Sequence, residues 1–356
     1  MKVLLLGDYS GYGPNLRDGL NALGHEVQIA VGQADWKSFY FDFEIKKKYT
    51  GISRYWKDRI YPFRILSKLT GFDIVQWIDP YPFFINYFPR KFFYEKIFNG
   101  NGKSFLVTAA MDAYFWRFAK EYLAYTPYNE MRKYDWDNFL DFKFTDRAFD
   151  FNTYVADQVN GIIAIMYDYE VSYSKRYRDK LRTIPLAVNL DKVEYKPIKH
   201  SRKLTFFHGL NRYGFKGTRY IEEAFSEICS KYPNDVEFIL NKRMPFDQYI
   251  EVLSRSHVVV DQVHSYSYGM NALYSMASGK IVMSGAEPEA LKAINIEEAP
   301  VINIRPDKEQ IKKEILKLLE KRDSIEALGY QGREYVKKYH DHISVARQYV
   351  DFWNKS

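Results

Sequence analysis

Leu204-Thr205-Phe206-Phe207-His208-Gly209-Leu210-Asn211-Arg212-Tyr213-Gly214-Phe215-Lys216-Gly217-Thr218 is the stretch that decides the fold. The run Leu204 to His208 is short, bulky and mostly apolar, as a strand buried on both faces must be. It stops at a loop, Gly209 to Gly217, and a helix is predicted from about Thr218 to Lys231, with Ala224, Phe225 and Ile228 at helical spacing. The chain opens on the same order of events. Met1 to Leu6 reads as a buried strand, and Gly7-Asp8-Tyr9-Ser10-Gly11-Tyr12-Gly13-Pro14 as a glycine-rich turn. Leu16, Leu20 and Leu23 share one helical face, Gly24 suits a left-handed helix end, and Val27 to Val31 is the next strand. Strand, glycine-rich turn, helix and strand form a βαβ unit, whose crossover is right-handed.

Working outward, the first half carries further strand signals at Phe72–Trp77, Ser104–Thr108, Gly161–Ile165 and Thr183–Leu186. In the second half Val236–Leu240, Val258–Asp261 and Ile281–Met283 read as strands, with helices predicted around Tyr249–Leu253 and Met270–Ser278. Helical patterns close the chain at Lys308–Lys321 and Gln331–Trp353. Alternation of this kind predicts an α/β fold with two doubly wound, Rossmann-like domains in series. Residues 189–203 are polar and contain Pro197, which suits a linker between a first domain, 1–188, and a second, 204–335. Ligands of such sheets bind outside the carboxyl ends of the strands, so facing domains share one cleft. The aromatic-rich segment around Asp112-Ala113-Tyr114-Phe115-Trp116 and Tyr134-Asp135-Trp136 reads as helices and loops lining it.

A length of 356 residues fits two such domains, and a hydrophobic fraction of 46% argues against long disorder. The net charge of +7 favours anionic partners: nucleotide phosphates, lipid phosphates or nucleic acid. No helix-turn-helix, zinc or RNA-binding signature is present, so nucleic acid is not an expected partner. One cysteine, Cys229, excludes an intrachain disulfide and a Cys-based zinc site, and its helical neighbours predict a buried thiol. The apolar run Val3 to Leu6 is too short for a signal-peptide core, and no stretch reaches the ~18 apolar residues of a membrane span. The expectation is a cytoplasmic protein, with peripheral contact at the inner face of the membrane left open.

Three elements carry candidate chemistry. The turn with Gly11, Tyr12 and Gly13 lets backbone approach a ligand, but its spacing is not the dinucleotide fingerprint. In the second loop Arg212 offers a planar fork and Lys216 a point charge to a diphosphate; the order Lys-Gly-Thr is not a P-loop. The third is the helix start at Gly269, Met270 and Asn271, whose free N–H groups can bind phosphate without side chains. His208 at a strand end reads equally as a ligand contact or a turn hydrogen bond. His340 and His342 are i, i+2 and so do not form a helical metal pair.

In order and spacing these segments resemble the retaining GT-B glycosyltransferases of the family 4 type. The similarity rests on Leu23-Gly24-His25-Glu26-Val27, on Ile184 to Asp191 before the linker, on His208 to Gly217, and on Tyr268 to Gly279 followed by Lys280-Ile281-Val282. It also includes Tyr330-Gln331-Gly332-Arg333-Glu334 and a last helix, 336–356, that crosses back to the first domain. The resemblance implies a nucleotide-sugar donor held in the second domain and a glycan or lipid-linked acceptor entering from the first. It implies retention, and the sequence offers no evident metal anchor; no cofactor is expected beyond the nucleotide-sugar substrate. It places the donor diphosphate at Arg212, Lys216, Gly269, Met270 and Asn271, with Gly209, Asp261, Gln262 and Tyr268 near the sugar, and Gly11, Tyr12 and Gly13 on the acceptor side. Asp112 is the catalytic candidate near the acceptor, with a helix N-cap as the equal reading. One departure stands out: the family's E-x7-E glutamates fall on Tyr266 and Tyr274 here, with Glu287 and Glu289 the nearest glutamates beyond. A non-catalytic sugar-nucleotide or glycan-binding relative and a GT-B sugar-nucleotide epimerase are the alternative readings.

Overall fold

The computed structural model describes residues 1–32, 40–44, 64–81, 90–135, 141–210, 212–242 and 246–356. Trp136 and Asn211, quoted above, lie outside these residues. Seven strands form the first sheet: β1 (Lys2–Leu6), β2 (Glu26–Val31), β3 (Phe43–Glu44), β4 (Ile74–Ile78), β5 (Lys103–Thr108), β6 (Gly161–Ala164) and β7 (Leu181–Thr183). Their spatial order is β3-β2-β1-β4-β5-β6-β7, and every pairing is parallel. The second sheet holds β8 (Leu204–Leu210), β9 (Val236–Lys242), β10 (Val258–Val260), β11 (Ile281–Ser284) and β12 (Val301–Asn303), in the order β12-β11-β10-β8-β9, again all parallel.

The apolar runs become central strands because helices cover both sheet faces. In β1, Val3 and Leu5 enter one core with the helix Tyr12–Ala22, while Leu4 and Leu6 enter another with Trp77 and Tyr94. That is the two-residue period of a strand dividing its side chains between two cores. Gly24, at φ 83°, supplies the left-handed residue expected after the first helix. The segment around Thr183–Leu186 is strand only to Thr183; Pro185 has no N–H to continue a ladder. Cys229 is half-buried at the edge of the second sheet's core rather than enclosed, and burial pushes its thiol up.

The expected closing helix is two helices. The first, Ile325–Tyr339, packs on the helix Met270–Ala277. The chain then turns at His340. Asp341 caps a new helix, His342–Lys355, its Oδ1 accepting from the Ser344 N–H at 2.9 Å. This last helix lies against Tyr12–Ala22 of the first sheet's layer, where Tyr12 donates to Tyr349 Oη at 2.8 Å. The turn itself is tied down, with Val188 N donating to His340 O at 2.8 Å. The two sheets are thus joined at the linker and by a returning helix.

Candidate functional site

The carboxyl ends of both sheets open on one cavity of about 1320 Å³. Tyr9, Ser10, Met111, Phe115, Asp168 and Tyr169 line it from the first sheet's side, and Gly209, Arg212, Lys216, Asp261, Gln262 and Gly269 from the second. Four non-glycine residues at the ends of the first sheet's strands have left-handed backbone: Ser10 (φ 54°), Asp79 (71°), Ala110 (53°) and Met111 (51°). Such strain persists only where neighbours hold it, and it gathers at functional sites. Here the holding group is a buried ion pair. Lys143 Nζ meets Asp79 Oδ2 at 2.6 Å and Ala110 O at 3.0 Å, and Tyr9 donates to the same Asp79 oxygen at 2.8 Å.

On the second side, Lys216 ends a single-turn helix, Tyr213–Lys216, and Gly217 at φ 67° lets the next helix begin at once. The Lys216 ammonium donates to Gly209 O at 2.9 Å and to Asp261 Oδ1 at 3.0 Å, and Asn271 Nδ2 donates to that same oxygen at 2.8 Å. Arg212 projects into the cleft above the Phe215 ring, 3.6 Å from its centroid. Its guanidinium makes no side-chain hydrogen bond among the described residues, and desolvation in the cleft lowers its pKa. Gly269 precedes the helix Met270–Ala277 with no side-chain cap, and a side chain there would meet open space. Two cations and a bare helix start therefore converge, an arrangement suited to a diphosphate. Gln262 is held by a long contact, Nε2 to Ser267 O at 3.4 Å.

Other candidates take structural places. His208 is fully buried, with Nδ1 facing Val260 O at 2.7 Å and Nε2 facing Thr218 Oγ1 at 2.9 Å; burial and Lys216 lower its pKa to about 4. It is a neutral strut. Asp112 is a helix cap and not a cleft residue: Oδ1 accepts from Phe115 N at 2.9 Å and Oδ2 from Tyr173 Oη at 2.8 Å, with the residue fully buried. Burial, then Asp79, raises its pKa to about 7. Tyr268 also turns from the cleft into the join between the sheets. Its hydroxyl meets Tyr335 Oη at 2.5 Å and His340 Nε2 at 3.0 Å, while His340 Nδ1 faces Leu186 O at 2.8 Å. Gly11 and Gly13 present no free N–H to a ligand, because Asp8 accepts from both, at 3.2 and 2.7 Å. Tyr12 touches the cavity, but its hydroxyl is committed to Tyr349 and to Gln76 Nε2 at 3.1 Å.

No protein-family model matches the chain, and no curated protein sequence does. Solved structures match over its whole length. Sucrose-phosphate synthase from Thermosynechococcus elongatus aligns over 99% of this chain and 98% of its own, at 14% identity and a TM-score of 0.62. HepE of Anabaena, in complex with UDP-glucose, aligns over 100% of both chains at 11% identity and a TM-score of 0.62. A glycosyltransferase from Rickettsia africae covers 99% and 97%, at 13% identity and a TM-score of 0.58. The fold is GT-B.

In this GT-B cleft Tyr266 and Tyr274 reach the opposite domain. Tyr274 Oη accepts from Asn15 Nδ2 at 2.6 Å. Tyr266 Oη accepts from Ala124 N at 3.0 Å, and its ring stacks on Tyr125 with centroids 4.7 Å apart. Glu287 is occupied as well, by both arms of Arg305 at 2.7 and 2.6 Å and by Tyr125 Oη at 2.7 Å, which keeps its carboxyl below the usual range despite burial. Glu289 is exposed. Residues missed in the sequence complete the bridging. Asp168 Oδ1 accepts from Ser265 Oγ at 2.9 Å and Tyr266 N at 3.0 Å, and Asp135 Oδ2 accepts from Phe215 N at 2.8 Å. Nothing local marks Asn15, Asp135 or Asp168, since each partner lies in the other domain. Asp79 had one local signal, a polar residue before proline at a strand end.

Proposed function

We propose that the chain is a glycosyltransferase that moves a sugar from a nucleotide-sugar donor to a glycan or lipid-linked acceptor. The observation that carries this is the convergence of Arg212, Lys216 and the uncapped helix start at Gly269 on one side of the cleft. As the glycosidic bond breaks, the leaving nucleoside diphosphate gains charge. A guanidinium stacked on Phe215, an ammonium held by Asp261 and helix N–H groups stabilise that charge. These groups suffice for a metal-independent reaction, and the fold's likeness to HepE in complex with UDP-glucose supports a nucleotide-sugar as donor. We assign retention on the family resemblance of the donor loop.

The first-domain side fits the acceptor. Its described cleft residues include Tyr9, Met111, Phe115 and Tyr169 and no lysine or arginine, which suits the apolar face of a sugar ring better than a phosphate. No helix among the described residues is long and apolar enough to cross a membrane. A cytoplasmic setting with peripheral contact to an anionic membrane face accords with the basic balance.

A second reading, a binding relative without turnover, is favoured by Tyr266 and Tyr274 standing where the family has glutamates. Calorimetry with UDP, GDP, ADP and TDP, followed by turnover assays with the matching nucleotide-sugars and an oligosaccharide panel, separates the two. Binding with turnover supports transfer, and binding without it in any acceptor supports the second reading. No nucleoside diphosphate binding removes both.

A further inference from the structure

We infer that Asp261 receives a hydroxyl of the transferred sugar, so that the site takes donors with a free hydroxyl at that position and excludes those with an anionic group there. The inference rests on the donor assignment above and adds the sugar class.

Asp261 follows β10, at the centre of the second sheet, and is 3% exposed. Its backbone is fixed by N–H donation to Met283 O at 2.9 Å. Its Oδ1 is fully used, by Lys216 at 3.0 Å and Asn271 at 2.8 Å. Its Oδ2 has no hydrogen bond among the described residues, and the residue lines the cleft, as Gly269 does.

A carboxylate here is costly for holding a diphosphate. It offsets the field of Lys216, and it repels the anion across a few ångströms of low-dielectric cleft. An asparagine could orient Lys216 through its carbonyl without that repulsion. The charge therefore serves another contact. An ionised carboxylate can only accept, so the ligand atom meeting Oδ2 must be a donor. On a nucleotide-sugar, next to the diphosphate, the donors are hydroxyl groups. A hydroxyl bound to a charged acceptor makes one of the stronger hydrogen bonds. A carboxylate in its place meets Oδ2 as a like charge, and a missing hydroxyl leaves a buried acceptor unsatisfied. Lys216 and Asn271 hold the side chain in one orientation, so the discrimination is positional.

The test is calorimetry on the full chain, with whichever of UDP, GDP, ADP or TDP binds best, its nucleotide-hexose and its nucleotide-hexuronate. The wild type should bind the hexose form more tightly than the bare diphosphate, and the hexuronate at least about tenfold more weakly than the hexose. In Asp261→Asn the advantage of the hexose over the diphosphate should vanish while the diphosphate itself binds as well or better. An unchanged hexose advantage overturns the inference. So does a loss of diphosphate affinity in the variant, which would place Asp261 at the ribose or make it only a support for Lys216. Failure of every diphosphate to bind instead removes the donor assignment itself.

Discussion

Asn15 Nδ2 donates to Tyr274 Oη at 2.6 Å, joining the first helix of one domain to the helix Met270–Ala277 of the other. The same amide nitrogen donates to Gly11 O at 2.7 Å, and Asn15 Oδ1 accepts from the linker residue Asn189 at 2.7 Å. One buried amide thus ties together both domains and their connection. The Tyr274 side chain thus holds the cleft's two sides together. Tyr266 does the same through Ala124 and the Tyr125 ring.

Tyr274→Phe should loosen that joint without disturbing either core. Asn15 keeps Gly11 and Asn189, so the loss is one neutral hydrogen bond, about 1 kcal/mol. Small-angle scattering should show a larger radius of gyration in the unliganded variant, and protease should cut the expected linker, residues 189–203, faster. The same scattering curve and cleavage rate as wild type would show that the bond does not hold the domains together.

Arg212→Ala should weaken nucleoside diphosphate binding by about 1–3 kcal/mol, the cost of a charged hydrogen bond. It should leave stability nearly unchanged, because the guanidinium makes no side-chain hydrogen bond within the described protein. Lys216→Ala should differ on the second count. It leaves Asp261 buried without its cation, which costs about 3–5 kcal/mol. Calorimetry paired with denaturant unfolding distinguishes them; equal stability losses would mean that Arg212 has a folding role the geometry does not show.

The folds of both domains are legible because parallel strands buried on two faces must be largely apolar, as Val3–Leu6 and Leu204–Phe207 are. The second sheet's side of the cleft is legible for a related reason: Arg212, Lys216 and Gly269 lie in the segments between such strands and the helices that follow them. Elements of two or three residues, β3 and β12, are too short to show a period. Asp112 could not be resolved between cap and ligand until Tyr173 was seen to fill its second oxygen. Tyr268 adjoins Gly269 in sequence, yet its side chain leaves the cleft for Tyr335 and His340. What a sequence hides is direction, along with any contact whose partner belongs to another domain.

Stability should fall on acidification. His208 and His340 titrate near 4 in the fold, lowered by burial from the ordinary 6.5. Between those values the unfolded chain binds more protons, so their contribution is complete above about pH 6.5 and is lost toward pH 4. Asp112 acts with the opposite sign: raised from 3.8 to about 7, it keeps a proton that the unfolded chain has released, and it costs stability as pH rises through that range. Asp112→Asn should therefore gain on wild type steadily from about pH 4 to 7. Urea unfolding at several pH values measures the difference. A constant offset would mean that Asp112 is ionised in the fold throughout.

Gly19→Ala tests the return of the last helix. Alanine is the better helix former, by about 1 kcal/mol, and Gly19 lies inside Tyr12–Ala22, so in isolation the change should stabilise. In the folded chain a methyl group there overlaps the backbone carbonyl of His342 and comes within 2.9 Å of Ala346 Cβ. Relief requires His342–Lys355 to move, at a cost of about 1–3 kcal/mol or more, which exceeds the propensity gain. The variant should unfold at lower denaturant concentration. Adding Ala346→Gly removes the side-chain conflict and leaves the carbonyl, so it should not restore stability. Full rescue by the double variant would show that the helices are separated by side chains rather than by backbone, and that the contact is looser than the one described.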